Sequence, residues 1–92
     1  MDFEWDQHKA RYNERKRGVS FSEATTIFGD PLELTIADLD HSSDEYRFLS
    51  IGRSSTGKLL VVAYTERQQN NIRLISAREA TRQGRKYYER NH

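Results

Sequence analysis

The sequence predicts a single α+β domain over residues 1–92, with two N-terminal helices, a four-stranded antiparallel sheet and a C-terminal helix. Three observations predict it. Capped segments of helical spacing fill the first third, the apolar period shifts to alternation at Leu32, and turn residues separate four short apolar runs. Short connections between those runs favour an antiparallel meander with helices covering one face.

Asp6 to Arg17 carries good helix formers and stops at Gly18, a residue suited to the left-handed position after a helix. Its apolar content is thin: Ala10 and Tyr12, with Phe3 and Trp5 just ahead. That pattern describes a surface helix held by Trp5 and by the stems of its long side chains. Ser20 and Glu23 stand at capping-box spacing, and Phe21, Ala24, Ile27 and Phe28 share one face of a second, short helix. Gly29-Asp30-Pro31 ends it.

Leu32, Leu34 and Ile36 alternate with Glu33 and Thr35 as a half-buried strand, and an acidic loop follows from Asp38 to Asp44. Tyr46 to Arg53 and Lys58 to Glu66 read as strands joined by the hairpin turn Ser54-Ser55-Thr56-Gly57. Leu59 to Tyr64 is the most continuously apolar segment and is assigned to the central strand. A turn over Gln68 to Asn71 leads to a fourth strand, Ile72 to Ser76. Ser76 and Glu79 repeat the capping-box spacing, predicting a last helix that opens there and runs towards Tyr88.

Composition narrows the function. The longest apolar run, Leu59 to Tyr64, falls far short of a membrane span, and the acidic opening lacks the order of a signal peptide. Cysteine is absent, which removes disulfides and thiolate metal sites together. A soluble cytoplasmic protein without membrane contact is expected. The net charge of +1 hides an uneven distribution. Residues 18–65 carry three basic and seven acidic groups, whereas residues 66–92 carry seven basic and three acidic. A basic end favours a nucleic-acid or acidic-protein contact, or is simply a solvated terminal helix.

No metal or other cofactor is expected. His8, His41 and His92 lie far apart, and the cluster of Asp38, Asp40, Asp44 and Glu45 around His41 lacks the glycine and terminal glutamate of a calcium loop. Neither a phosphate-cradling glycine loop nor a serine elbow is present. The arginines remain: Arg67 ends the central strand, Arg73 lies on its neighbour, and Arg78 stands at the predicted start of the last helix. Glu66 either neutralises this set internally or leaves it to grip phosphate through bidentate forks. On the last helix, Arg82 and Arg85 extend a basic stripe from Arg78, with Lys86 and Arg90 nearby. One of Tyr87 and Tyr88 belongs to the packing side, and the other is free to stack on a base or donate a proton. Spacing leaves that choice open. The working sets are Glu66, Arg67, Arg73 and Arg78 for catalysis, and Lys9, Lys16, Arg82, Arg85 and Tyr88 for RNA contact. A metal-free ribonuclease needs little more than an aligned 2′-hydroxyl, cationic stabilisation of the phosphoryl oxygens, and proton transfer.

Ordered blocks along nearly the whole chain resemble BrnT-type toxins. They run from Phe3-Glu4-Trp5-Asp6, Lys9, Asn13, Lys16 to Phe21, and Glu23-Ala24 through Phe28 to Pro31. Arg47, Gly52, Gly57 to Val62, Thr65-Glu66-Arg67 and Ile72 to Arg78 complete them. The resemblance implies a bacterial type II toxin with a RelE-like ribonuclease fold that cuts RNA and stops translation. It also implies a cognate BrnA-type antitoxin with a ribbon-helix-helix part, through which the pair would reach operator DNA. Two positions depart from the family's pattern: Arg17 stands where the family often has histidine, and Gly84 where it often has an acidic residue. A non-catalytic basic module for nucleic acid or an acidic protein would use the same arginines. Toxicity on expression, and a neighbouring ribbon-helix-helix reading frame, separate the two.

Overall fold

The computed structural model describes residues 1–38, 46–68 and 70–91. Its sheet is built around β4 (Leu59–Arg67), which pairs antiparallel with β3 (Arg47–Arg53) on one side and β5 (Asn71–Glu79) on the other. The edge strand β2 (Leu34–Ala37) pairs antiparallel with β3, and β1 (Asp2–Glu4) pairs parallel with β5, giving the order β1-β5-β4-β3-β2. The helices are α1 (Gln7–Arg17), α2 (Phe21–Thr25), which continues into a 3-10 turn over Thr26–Gly29, and α3 (Arg82–Arg90). The acidic loop expected from Asp38 to Asp44, with its His41 cluster, lies outside the described residues except for Asp38. No described helix is long and apolar enough to cross a membrane.

Local signals behave as the sequence predicts in the first two helices. Asp6 accepts the Lys9 amide as N-cap, and Gly18 closes α1 at φ 73°. Ser20 accepts the Glu23 amide to start α2. Gly52 answers to a different constraint, since a Cβ there would lie 3.2 Å from both Cβ and the carbonyl oxygen of Ile27. The close approach lets the 3-10 turn rest on β3.

The sheet departs from the expectation in three ways. First, it has five strands of mixed direction rather than four antiparallel ones, because Asp2–Glu4 adds in parallel beside Asn71–Arg73. Second, β5 continues through Ser76 to Glu79, where a helix was expected. Val61, Val62 and Leu60 of β4 supply ladder partners to Arg78, Ala77 and Glu79, and that long-range pairing overrides the local capping pattern. The helix starts only after Thr81, whose hydroxyl accepts the Gly84 amide. Third, the helices cover both faces. Leu60, Val62 and Tyr64 of β4 pack with Val19, Phe21, Ala24 and Ile27 beneath α1 and α2. Leu59 is buried on the opposite face with Ile51 and Tyr88, under α3, and Val61 packs beside them.

Two polar anchors fix the helices to the sheet. β1 covers the outer edge of β5 only as far as Arg73, and a bulge at Ile75 follows. Beyond the bulge, Asn13 takes over. Its side-chain amide donates to the carbonyls of Ala77 (2.9 Å) and Val19 (3.0 Å), and its oxygen accepts the Ala77 amide (3.1 Å). The carboxamide therefore stands in for a strand. At the other end, the Glu23 carboxylate accepts from Ser54 (2.8 Å) and Thr56 (2.5 Å), holding the β3–β4 turn against α2. Those hydroxyls, Thr56 foremost, lower the Glu23 pKa below its ordinary value, with Lys58 assisting.

Replacing Asn13 with Ala leaves buried backbone groups without partners. It should destabilise the protein by about 2–4 kcal/mol in urea unfolding, with the denaturant slope unchanged. Because the folded-state pKa of Glu23 is depressed, its contribution is present above the unfolded value and is lost as pH falls through the folded one. Glu23→Gln should therefore be less stable than the parent at neutral pH, and the gap should narrow on acidification below about pH 4.5. Unfolding midpoints across a pH series measure this.

Candidate nucleic-acid interface

Strand alternation sorts the basic residues before any distance is considered. Residues 59, 61, 63, 65 and 67 of β4 face the α3 side, and their register partners share that face. Arg47 on β3, Thr65 on β4, Arg73 on β5 and Glu4 on β1 are consecutive partners, forming one row across four strands. At a strand spacing of about 4.8 Å, the Cα atoms of Arg47 and Arg73 stand about 10 Å apart with Thr65 between them. Arg67 joins the row from the next position on this face of β4, opposite Asn71.

Glu4 holds this row in place. Its carboxylate receives the Arg73 guanidinium at 3.2 Å and the Asn71 amide at 3.1 Å. The expected internal partner, Glu66, pairs with Ile72 and so lies on the other face of the sheet, exposed at the end of β4. The sequence reading missed Glu4 because β1 is only three residues long; the alternation of Asp2-Phe3-Glu4-Trp5 was its one signal. The sequence offers Arg47 only within the family resemblance, since nothing local marks it as facing Arg73 across β4.

Next to the row, a groove of about 310 Å³ opens between the sheet and α3. Leu34, Ile36, Leu49, Ile51 and Val61 form its floor, and Thr81, Gln83, Gly84 and Tyr87 its wall. The groove is apolar, and the arginine row lies along the same sheet face. That pairing suits a ligand with a flat apolar part and an anionic part.

The two tyrosines of α3 divide as the sequence reading allowed, but the assignment of Tyr88 to ligand contact is reversed. Tyr88 is 5% exposed and donates to Asp30 at 2.7 Å, while Tyr87 is 43% exposed and lines the groove. Asp30 also accepts the Arg53 amide at 2.8 Å, and the Arg53 guanidinium lies 5.9 Å from the Tyr88 ring centre. Burial raises the Tyr88 pKa, and the bond to Asp30 adds to it, so the phenol stays a neutral donor. It anchors α3.

Arg78 lies on β5 opposite Val61, on the same sheet face as Arg73 but farther along the strand; it does not begin α3. Arg82 and Arg85 are exposed on α3 and do not line the groove, so no helical stripe runs from Arg78 through them. Lys9 and Lys16 belong to α1, away from the groove. Among the described residues no group of three or more His, Cys, Asp or Glu side chains gathers to hold a metal.

Tyr88→Phe should cost about 1–2 kcal/mol in urea unfolding, because a bond to a carboxylate is lost. Tyr87→Ala should change stability by no more than about 0.5 kcal/mol, being exposed.

The family described as the ribonuclease toxin BrnT of type II toxin-antitoxin systems matches residues 5–84. The crystal structure of the Brucella abortus ribonuclease toxin, BrnT, superposes with a TM-score of 0.68 at 19% identity, covering 89% of this chain and 99% of that one. At that identity the likeness concerns the fold. A comparison with curated proteins gave no match. The family match spans most of the sequence, including α1, the whole sheet from β2 to β5 and the start of α3. The chain belongs to the BrnT family of ribonuclease toxins, which act in type II systems beside an antitoxin partner.

Proposed function

We propose that this toxin cleaves single-stranded RNA in the groove between the sheet and α3, without a metal ion, and so inhibits translation. The observation that carries the reading is the row of Arg47, Thr65 and Arg73 on the sheet face that also floors the groove. A base lies on the apolar floor against Tyr87, and the adjoining phosphate meets the guanidinium groups. The 2′-hydroxyl attacks the phosphorus and gives its proton to water, while the P–O5′ bond breaks and the 5′ oxygen takes a proton from water, leaving a 2′,3′-cyclic phosphate. Arg73 and Arg67 offset the charge gathering on the phosphoryl oxygens, a term worth two to three orders of magnitude per donor in comparable sites. Arg78 holds a neighbouring phosphate. Glu4 is a positioning residue: it fixes the Arg73 fork so that little reorganisation is needed when charge develops.

The antitoxin in this reading is of the BrnA type, with a ribbon-helix-helix part that carries the pair to operator DNA. The toxin acts in the cytoplasm. A basic sheet face favours an acidic antitoxin segment and speeds that encounter.

Purified protein should cleave messenger RNA at equal rates with and without a chelator. Arg73→Ala should lower kcat/KM by about 10²-fold with thermal stability retained. Glu66→Gln, on the far face, should leave the rate within about twofold. Cleavage that requires added metal overturns the metal-free mechanism, and tight RNA binding without cleavage reduces the protein to a binding module.

A further inference from the structure

A second hollow, of about 270 Å³, lies between α1 and β5 and is separate from the groove. Lys9, Tyr12, Lys16 and Arg17 line it from the helix, and Ile75 and Ser76 from the strand. Lys9, Tyr12 and Lys16 follow helical spacing, so they form one stripe, with the two lysines about 10 Å apart along the axis. Tyr12 lies between them, 55% exposed, and the Lys16 ammonium donates to its hydroxyl at 3.1 Å and stands 5.5 Å from its ring centre.

We infer that this stripe is a second RNA subsite, in which a base stacks on Tyr12 while flanking phosphates meet Lys9 and Lys16. The inference rests on the RNA-cleaving reading of the groove and extends its substrate beyond the scissile nucleotides.

Helix stability accounts for only part of the stripe: Lys16, in the last turn, suits the helix dipole, but Lys9 does not. The first turn of α1 contains no acidic residue, and Lys9 places a positive charge there, against the helix dipole. Nor is an exposed tyrosine between two lysines needed for packing, since Asn13 and Ala10 make the inward contacts of α1. Aromatic faces interleaved with cations are what a single-stranded polyanion with stacking bases requires. An acidic peptide would use the lysines, but not the open ring face.

Ser76 connects the two sites. It lines the hollow, and its partner Ala63 puts it on the sheet face that carries Arg73 and Arg78. β1 covers β5 only as far as Arg73, so at Ser76 no further strand among the described residues lies outside β5. A strand of RNA lying over the arginines therefore has a direct path across Ser76 to α1.

The test compares two single-stranded RNA oligonucleotides, one filling only the groove and one extending past Ser76. Tyr12→Ala and the pair Lys9→Ala with Lys16→Ala should each raise KM for the longer RNA about tenfold, with kcat unchanged and the shorter RNA unaffected. Losing two phosphate contacts should also flatten the salt dependence of binding by about 1.4 in log–log slope. Tyr12→Phe, which retains the ring, should keep the parent KM. If the parent cleaves RNA and these variants match it on both substrates, the subsite is overturned while the groove reading stands. Variants that lose antitoxin binding but not RNA affinity also overturn it, assigning the stripe to protein contact. If the parent neither binds nor cleaves RNA, the groove reading fails, and the subsite with it.

Discussion

Asn13 solves a problem that the sheet cannot solve with strands. β5 needs a partner on its outer side, β1 is too short to supply one beyond Arg73, and the bulge at Ile75 breaks the simple register. A single carboxamide satisfies both the donor and the acceptor of Ala77, and also reaches Val19 in the chain that leaves α1. That contact fixes α1 to β5 at Ala77. The course of β5 past its bulge, where Ser76 and Arg78 lie, and the position of the basic stripe on α1 both depend on it.

β4 separates scaffold from function by alternation alone. Leu60, Val62 and Tyr64 enter the aromatic-rich core, where Tyr64 meets Phe28 edge-on at 5.2 Å and stacks on Phe48 at 5.6 Å. On the other face Val61 contributes to the floor of the groove, and Thr65 and Arg67 follow farther along the same face. A one-residue slip would exchange the two sets, so the core packing that fixes the register also fixes the site. The buried aromatic layer thereby acts on the chemistry without touching it.

The legible parts of the fold were those with strong local signals. The caps of α1 and α2, the β3–β4 hairpin and the central strand follow from residues a few positions apart. The parts that were not legible depend on distant partners. Ser76 to Glu79 reads locally as a helix start, yet β4 extends far enough to claim it as strand. Arg67 and Arg73 were singled out as candidates because arginines on neighbouring strands stand out in a sequence. Glu4 was not, because its role appears only when the first strand meets the fifth, and Glu66 was favoured merely for being adjacent to Arg67. The tyrosine assignment turned on Asp30, 58 residues away from Tyr88. Helical spacing carries no information about such a contact.

The parallel pairing of β1 with β5 joins two strands that are far apart in sequence. Glu4 is synthesised well before Arg73, from which it is separated by 69 positions. A nascent chain still lacking β5 contains Arg47 and Arg67 but has neither Arg73 nor the strand that Glu4 must meet. The oriented guanidinium therefore exists only once β5 has been made. The pair that fixes Arg73 belongs to the assembled sheet and to no shorter stretch of the chain.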